Sequence, residues 1–327
     1  MKRIQAMFAT LLGGAALLAA GAASALTLPG PLVDVKWLKD HQAQVQVVDV
    51  RDNLNSLTEK PRYETVGGKP VLEQVGGHLP DALSVNFWGL RTKRDIAGKD
   101  IDFQMLRADE FQARMRGVQL EPGKPIVVTP TGDDATSLQE AAFFVWMLQV
   151  YGVPPEQIAI LNGGVRAWIM AGGEIDTDAI APMGQSQWTA QPARAGMVAS
   201  REQVQAAAKA KKPLFDTRPI AQYLGLERVP AIPKRGRIAG SVPLPSEWLY
   251  EQAEDGSWRF LSPEKYRAIF SLPGMVKPRS GIVFCNTGQY AAGAWFVLDR
   301  LLGLKGVGLF PGGFYEWAML DLPVDER

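Results

Sequence analysis

Cysteine and histidine are nearly absent from this chain: among 327 residues there is one cysteine, Cys285, and two histidines, His41 and His78. An internal disulfide is therefore excluded, and a structural zinc site, which draws four ligands from thiolates and imidazoles, is unsupported. Charge of one sign is missing as well. Lys and Arg number 35 against 34 Asp and Glu, a formal net charge of +1, so no global field points to nucleic acid or to an anionic membrane surface. No metal-ligand spacing and no phosphate-loop pattern occurs, and no metal or organic cofactor is required by anything in the sequence. Beyond the first 25 residues no long apolar run appears, which leaves no basis for a stable membrane anchor.

The N-terminus is the exception. Met1-Lys-Arg3 is a short positive region, Met7 to Ala22 is rich in Ala and Leu, and Ala23-Ser-Ala25 fits the small-x-small pattern of a cleavage site. Residues 1–25 read as a cleavable signal peptide, cut after Ala25, which places the mature chain in the periplasm or outside the cell. Export sharpens the meaning of the lone cysteine, because an oxidising compartment ordinarily uses cysteines in pairs. Cys285 ends the apolar run Ile282 to Phe284 and is followed by the polar loop Asn286, Thr287, Gly288, Gln289 and Tyr290 and then by a helical pattern. Backbone N–H groups of such a loop and the positive end of the helix favour an anion, so the thiol is expected to ionise easily and act as a nucleophile.

The chain also repeats itself. Val45-Gln-Val-Val-Asp-Val-Arg51 is answered by Pro213-Leu-Phe-Asp-Thr-Arg218, and Gly77-His-Leu-Pro-Asp-Ala82 by Gly236-Arg-Ile-Ala-Gly-Ser241. The strand Pro125 to Thr129 with its loop Pro130 to Asp134 is answered by Gly281 to Tyr290, and Leu161-Asn-Gly-Gly-Val-Arg-Ala-Trp168 by Phe310-Pro-Gly-Gly-Phe-Tyr-Glu-Trp317. Four blocks in one order make two copies of a domain, each alternating short β runs with helical stretches such as Leu138 to Tyr151 and Ala292 to Leu302. The expected fold class is α/β, two domains each with a central, mostly parallel sheet flanked by helices. The boundaries are placed at 28–172 and 190–327, joined by a linker over 173–189 rich in Gly, Pro and Gln.

These motifs, Asp-x-Arg, Gly-His-Leu-Pro-Asp-Ala, a strand leading into Cys-x-x-Gly, and Gly-Gly-x-x-x-Trp, resemble the rhodanese (thiosulfate/3-mercaptopyruvate sulfurtransferase) family in its tandem form. The resemblance implies a silent first domain and a catalytic second one, its site facing the domain interface. It also implies that Cys285 takes a sulfane sulfur from thiosulfate or a similar small donor, carries it as a persulfide, and hands it to a thiol, cyanide or a protein acceptor. Asn286, Thr287, Gly288, Gln289 and Tyr290 would line the substrate pocket, and Thr129 would stand in the first domain where Cys285 stands in the second. Asp133 and Asp134 after it would repel an anion.

Family members that use thiosulfate carry cations in this loop and before the aromatic residue after Asp-x-Arg; here the loop is uncharged and Gln222 precedes Tyr223. Arg237, in the position of His78, is the candidate replacement, with Lys234 and Arg235 nearby. Asp49, Arg51, Asp216, Arg218, His78, Trp168 and Trp317 read as structural. Two other functions compete. A phosphatase or arsenate reductase needs a longer loop closed by an arginine, whereas this one runs into Ala291, Ala292 and Gly293. A non-catalytic exported binding or scaffold protein would have an inert thiol.

Overall fold

The computed structural model describes residues 26–180 and 184–326; the expected signal peptide and part of the expected linker lie outside the described residues. In the first half, strands β1 (Leu32–Val33), β2 (Gln46–Arg51), β3 (Leu83–Asn86), β4 (Ile126–Thr129) and β5 (Ile158–Leu161) form one parallel sheet in the order β1-β5-β4-β2-β3. In the second, β6 (Leu214–Asp216), β7 (Val242–Pro243), β8 (Ile282–Phe284) and β9 (Gly308–Leu309) form another in the order β7-β6-β8-β9. Val198 makes an isolated parallel bridge to Leu309, filling the place that β1 holds beside β5. The two sheets therefore share one topology.

Runs such as Val47, Val48 and Val50, or Ile158 to Leu161, are wholly buried, as parallel strands covered on both faces must be. The covering helices include α1 (Val35–His41), α2 (Ala108–Gly117), α3 (Ala135–Val150) and α4 (Gly164–Met170) in the first half. In the second they include α5 (Arg201–Lys209), α6 (Ile220–Tyr223), α7 (Pro263–Phe270), α8 (Gln289–Trp295) and α9 (Gly313–Met319). Helix α8 continues as a π-helix through Phe296–Leu301.

Helices α3 and α8, which follow β4 and β8, pack along one another between the two sheets. That position explains why every residue of α3 from Ser137 to Val150 is buried: a helix with protein on all sides must be apolar on all sides. Phe143, Trp146 and Leu148 of α3 belong to the same apolar cluster as Phe260, Trp295, Phe296 and Cys285. Polar residues set into this shared core, Gln139 and Glu140 on α3 and Gln289 on α8, thus lie where the two domains meet. The segment entering the second domain is anchored too. Trp188 is buried edge-on against Phe111, ring centroids 5.5 Å apart.

Candidate active site

The two Asp-x-Arg motifs fix the strand ends next to which the loops begin. Arg51 grips the Asp49 carboxylate at two points, donating Nε to Oδ1 at 2.7 Å and Nη2 to Oδ2 at 2.5 Å, and reaches the carbonyl of Gly77 at 3.1 Å. Arg218 does the same with Asp216 (Nη2 to Oδ2, 2.6 Å) and with the carbonyl of Gly236 at 2.8 Å. All four side chains are buried. Each pair clamps its strand to the Gly-x-x-Pro or Gly-x-x-Ala turn, the structural role expected of it.

Cys285 follows β8 directly. Its carbonyl accepts from the Phe314 N–H at 2.7 Å, and the carbonyl of Asn286 from that of Tyr315 at 2.9 Å. The turn at Gly312-Gly313 makes this approach possible. Gly313 has φ +58°, and a Cβ there would lie 2.5 Å from the Cys285 carbonyl oxygen and 2.4 Å from that of Asn286. Gly288, at φ +85°, caps α8 without a side chain. The N–H groups of Thr287, Tyr290 and Ala291 are thereby free to turn toward the Cys285 sulfur.

The thiol itself is 2% exposed. Burial pushes it up from the ordinary thiol value, against the pull of the Ala291 and Thr287 N–H groups, the charge of Arg91 and the Tyr290 N–H. This corrects the expectation of an easily ionised thiol: the anion-stabilising loop is present, but desolvation outweighs it.

Among the other expected residues, Asn286 donates Nδ2 to Oε1 of buried Gln222 at 2.8 Å, joining these two positions, while its own Oδ1 is buried without a hydrogen-bond partner. Gln289 reaches across to the first domain, Nε2 to Glu140 Oε1 at 3.4 Å. Tyr290 is half-buried, its hydroxyl pushed up first by burial and then by Cys285. Arg237 is committed elsewhere. Its Nη2 donates to Asp325 Oδ2 at 2.7 Å, its backbone bridges to Asp325, and its guanidinium lies over Tyr223. Lys234 and Arg235 are likewise engaged, with Asp321 and with the carbonyls of Gly225 and Leu226. The three cations read as substitutes for a charged loop thus serve to tie down the C-terminal tail and a neighbouring turn.

Two charged residues of the first domain that no sequence motif singles out stand at this site, Arg91 facing Cys285 and Glu140 facing Arg91. Arg91 follows the 3-10 turn Phe87–Leu90 and is 8% exposed. Burial lowers its guanidinium to about 10, the charges of Cys285 and Glu140 acting the other way. Glu140 on α3 is pushed up to about 8 by burial, then by Asp52 and Asp134, with Arg91 opposing. Arg91 stands in a polar-looking run, Arg91-Thr-Lys-Arg-Asp95, and Glu140 in an otherwise apolar helix; neither belongs to a motif. The hydroxyl of Tyr250, also in this shared core, packs so closely on Gly293 that a Cβ there would lie 1.9 Å away.

In the first domain the equivalent of Cys285 is Pro130, correcting the match to Thr129. Thr129 pairs with Asp49 as Phe284 pairs with Asp216, and the carbonyl of Pro130 accepts from Val165 N–H at 2.9 Å as that of Cys285 does from Phe314. Proline has neither a thiol nor an N–H. The loop after it is acidic: Asp133 pairs with Arg166 at 2.7 Å, and Asp134 caps α3 by accepting from Ser137 N–H at 2.8 Å. A cavity of about 190 Å³ beside it is lined by Asp52, Asp133, Asp134 and Glu140 among others. Among the described residues no group of three or more His, Cys, Asp and Glu could hold a metal ion, and no helix is long and apolar enough to cross a membrane.

Set beside known proteins, the chain matches the family described as the rhodanese-like domain twice, over residues 34–171 and 200–320. It is 30% identical over 302 residues to a Mycobacterium leprae protein carrying the provisional name thiosulfate sulfurtransferase SseA, covering 90% of each chain. It is 25% identical over 300 residues to the sulfur carrier protein TtuD of Thermus thermophilus, covering 89% of this chain and 95% of that one. The crystal structure of SseA from Escherichia coli, described as a 3-mercaptopyruvate sulfotransferase of rhodanese fold, superposes with a TM-score of 0.67 at 21% identity. The superposition covers 87% of this chain and 98% of that one.

Proposed function

The chain belongs to the rhodanese-like family, two domains in tandem whose role is sulfur transfer, and from that premise we propose that Cys285 is the nucleophile that carries the sulfur. The observation behind this reading is the setting of Cys285: a thiol at the C-terminal end of a parallel strand, with the N–H groups of Thr287, Tyr290 and Ala291 directed at its sulfur. In the first half reaction the Cys285 thiolate attacks the outer sulfur of thiosulfate or a related donor. The new S–S bond forms as the bond to the sulfonate sulfur breaks, and sulfite leaves with the electron pair. In the second, a thiolate or cyanide attacks the outer persulfide sulfur and the Cys285 thiolate is the leaving group, so the kinetics are ping-pong. The negative charge moves from Sγ to the sulfur beyond it and back, and fixed backbone donors serve both states without rearrangement.

Burial of the thiol fits this chemistry once the donor is bound, because exclusion of water strengthens every interaction at the sulfur and protects the persulfide from side reactions. Asn286, Thr287, Gly288, Gln289 and Tyr290 form the loop that surrounds the transferred sulfur, with Gln222 holding Asn286 in place. A protein acceptor is a natural second substrate, since a full-length relative is named a sulfur carrier protein. The leader in residues 1–25 supports action outside the cytoplasm, and the matched segments 34–171 and 200–320 support domains near 28–172 and 190–327.

The test is a single turnover without acceptor. Protein stripped of bound sulfur by cyanide and mixed with thiosulfate is expected to release about one sulfite per chain in a burst and then stop. No sulfite release from thiosulfate, together with no thiol release from a persulfide donor, overturns the reading.

A further inference from the structure

Among the described residues three arginines are nearly sealed inside the protein, and they are treated differently. Arg51 and Arg218 spend their donors on a carboxylate and a carbonyl. Arg91, in the core shared by the two domains, spends none: its Nε, Nη1 and Nη2 are all buried and all lack a hydrogen-bond partner. A guanidinium offers five N–H donors in a rigid plane, and leaving such a charge buried and unsatisfied is among the most costly arrangements a fold can keep. Its neighbours do not relieve it. The rings of Phe87, Phe143 and Trp88 stand 4.4, 4.7 and 5.7 Å from it. Aromatic faces attract a cation, but they hold it in place without accepting its hydrogen bonds. The titratable groups that Arg91 faces are Cys285 and Glu140.

We propose that Arg91 is the anion-binding residue of the Cys285 site, its unspent N–H donors taking the terminal oxyanion of a small sulfur donor while the donor's transferable sulfur meets the thiol. This rests on the sulfur-transfer reading for the identity of the donor. The planar fork suits two oxygens of a sulfonate or carboxylate better than an ammonium would. The loop around Cys285 is uncharged and Arg237 is paired with Asp325, so the cation for an anionic substrate comes from the first domain. The domain that lacks the nucleophile would thus supply half of the site, which accounts for a core continuous across the two.

The experiment alkylates Cys285 in the full-length protein with iodoacetate, an anion, and with iodoacetamide, its neutral analogue, at one pH. The thiolate displaces iodide from both, so its ionisation cancels in the ratio of the two rates. The proposal expects that ratio to fall on the order of tenfold to a hundredfold in Arg91→Met, the size of a lost charge-assisted hydrogen bond, and by a smaller factor in Arg91→Lys. Thiosulfate should shield the wild-type thiol from iodoacetamide and fail to shield that of Arg91→Met. Circular dichroism verifies the fold of both variants, and Arg91→Lys decides alone if Arg91→Met does not fold. An unchanged ratio with undiminished shielding in a folded variant would overturn the proposal and leave Arg91 a structural cation. A wild-type protein that prefers iodoacetate but releases neither sulfite from thiosulfate nor thiol from a persulfide donor would keep the anion site and overturn the sulfur-transfer reading instead.

Discussion

The loop after β4 and the loop after β8 sit on the same scaffold, yet only the second begins at a thiol and turns N–H groups toward it. The anchors agree point for point. Both strands carry a buried Asp–Arg clamp to a glycine carbonyl. Both loops are pinned through their carbonyls by a helix after Gly-Gly, and Trp168 and Trp317 each donate an indole N–H at 2.8 Å to a carbonyl six residues on. Both tails return to pair with the turn, Asp176 with His78 and Asp325 with Arg237. The loops diverge at the helix start. The Asp134 side chain takes an N–H of the first turn of α3, whereas Gly288 has no side chain and leaves N–H groups at the start of α8 for Cys285. The scaffold is thus preserved by contacts to backbone, and the two loops differ in whether a capping side chain takes an N–H of the first helical turn.

The comparison can be broken most severely at the clamps. Asp49→Ala and Asp216→Ala each strand a buried guanidinium, and each is expected to cost about 3–5 kcal/mol in denaturant unfolding. Markedly unequal losses would show that the two clamps are not the same device. A smaller effect is expected at Glu140, which stands in the acidic environment of the first loop. Its ordinary value is 4.5 and burial raises it to about 8 in the folded protein. The folded state therefore holds a proton that the unfolded state releases, and wild-type stability falls as pH rises from about 4.5 through about 8. Glu140→Gln should remove this loss, raising stability by a few kcal/mol at pH 9, about 5 at most, with little change at pH 4. Thermal melts at the two pH values measure it, and a variant less stable than wild type at pH 9 would mean that the Glu140 charge is needed as the partner of Arg91.

Most of the scaffold was legible in the sequence because its anchors are short and local. Asp-x-Arg, Gly-Gly-x-x-x-Trp and the apolar strands state their roles within a few residues, and the Cys285 loop could be read from its glycine. The register of the first loop could not. The run Pro125 to Thr129 looks like a strand ending at a nucleophile position, and only the pairing of Thr129 with Asp49 moves the match to Pro130. Arg237 misled because charge shows in a sequence and its partner does not: Asp325 lies 88 residues away. Arg91 and Glu140 were invisible for the complementary reason. Their significance comes from the packing of α3 on α8, which sets Arg91 against Cys285 and Glu140 against Arg91 and Gln289, and no local pattern records it. The ionisation of Cys285 is not legible either, because a loop sequence shows the hydrogen-bond donors but not the burial that opposes them.

The most direct measurement is intact-mass spectrometry of the full-length protein before and after thiosulfate, beside a chain in which the lone cysteine has been moved by Cys285→Ser together with Pro130→Cys. The account predicts that the wild type gains one sulfur atom, ~32 Da, reversed by cyanide, while the chain with its thiol in the first loop gains none. No adduct on the wild type, or an equal one on both chains, would contradict the claim that sulfur is held by the second loop alone.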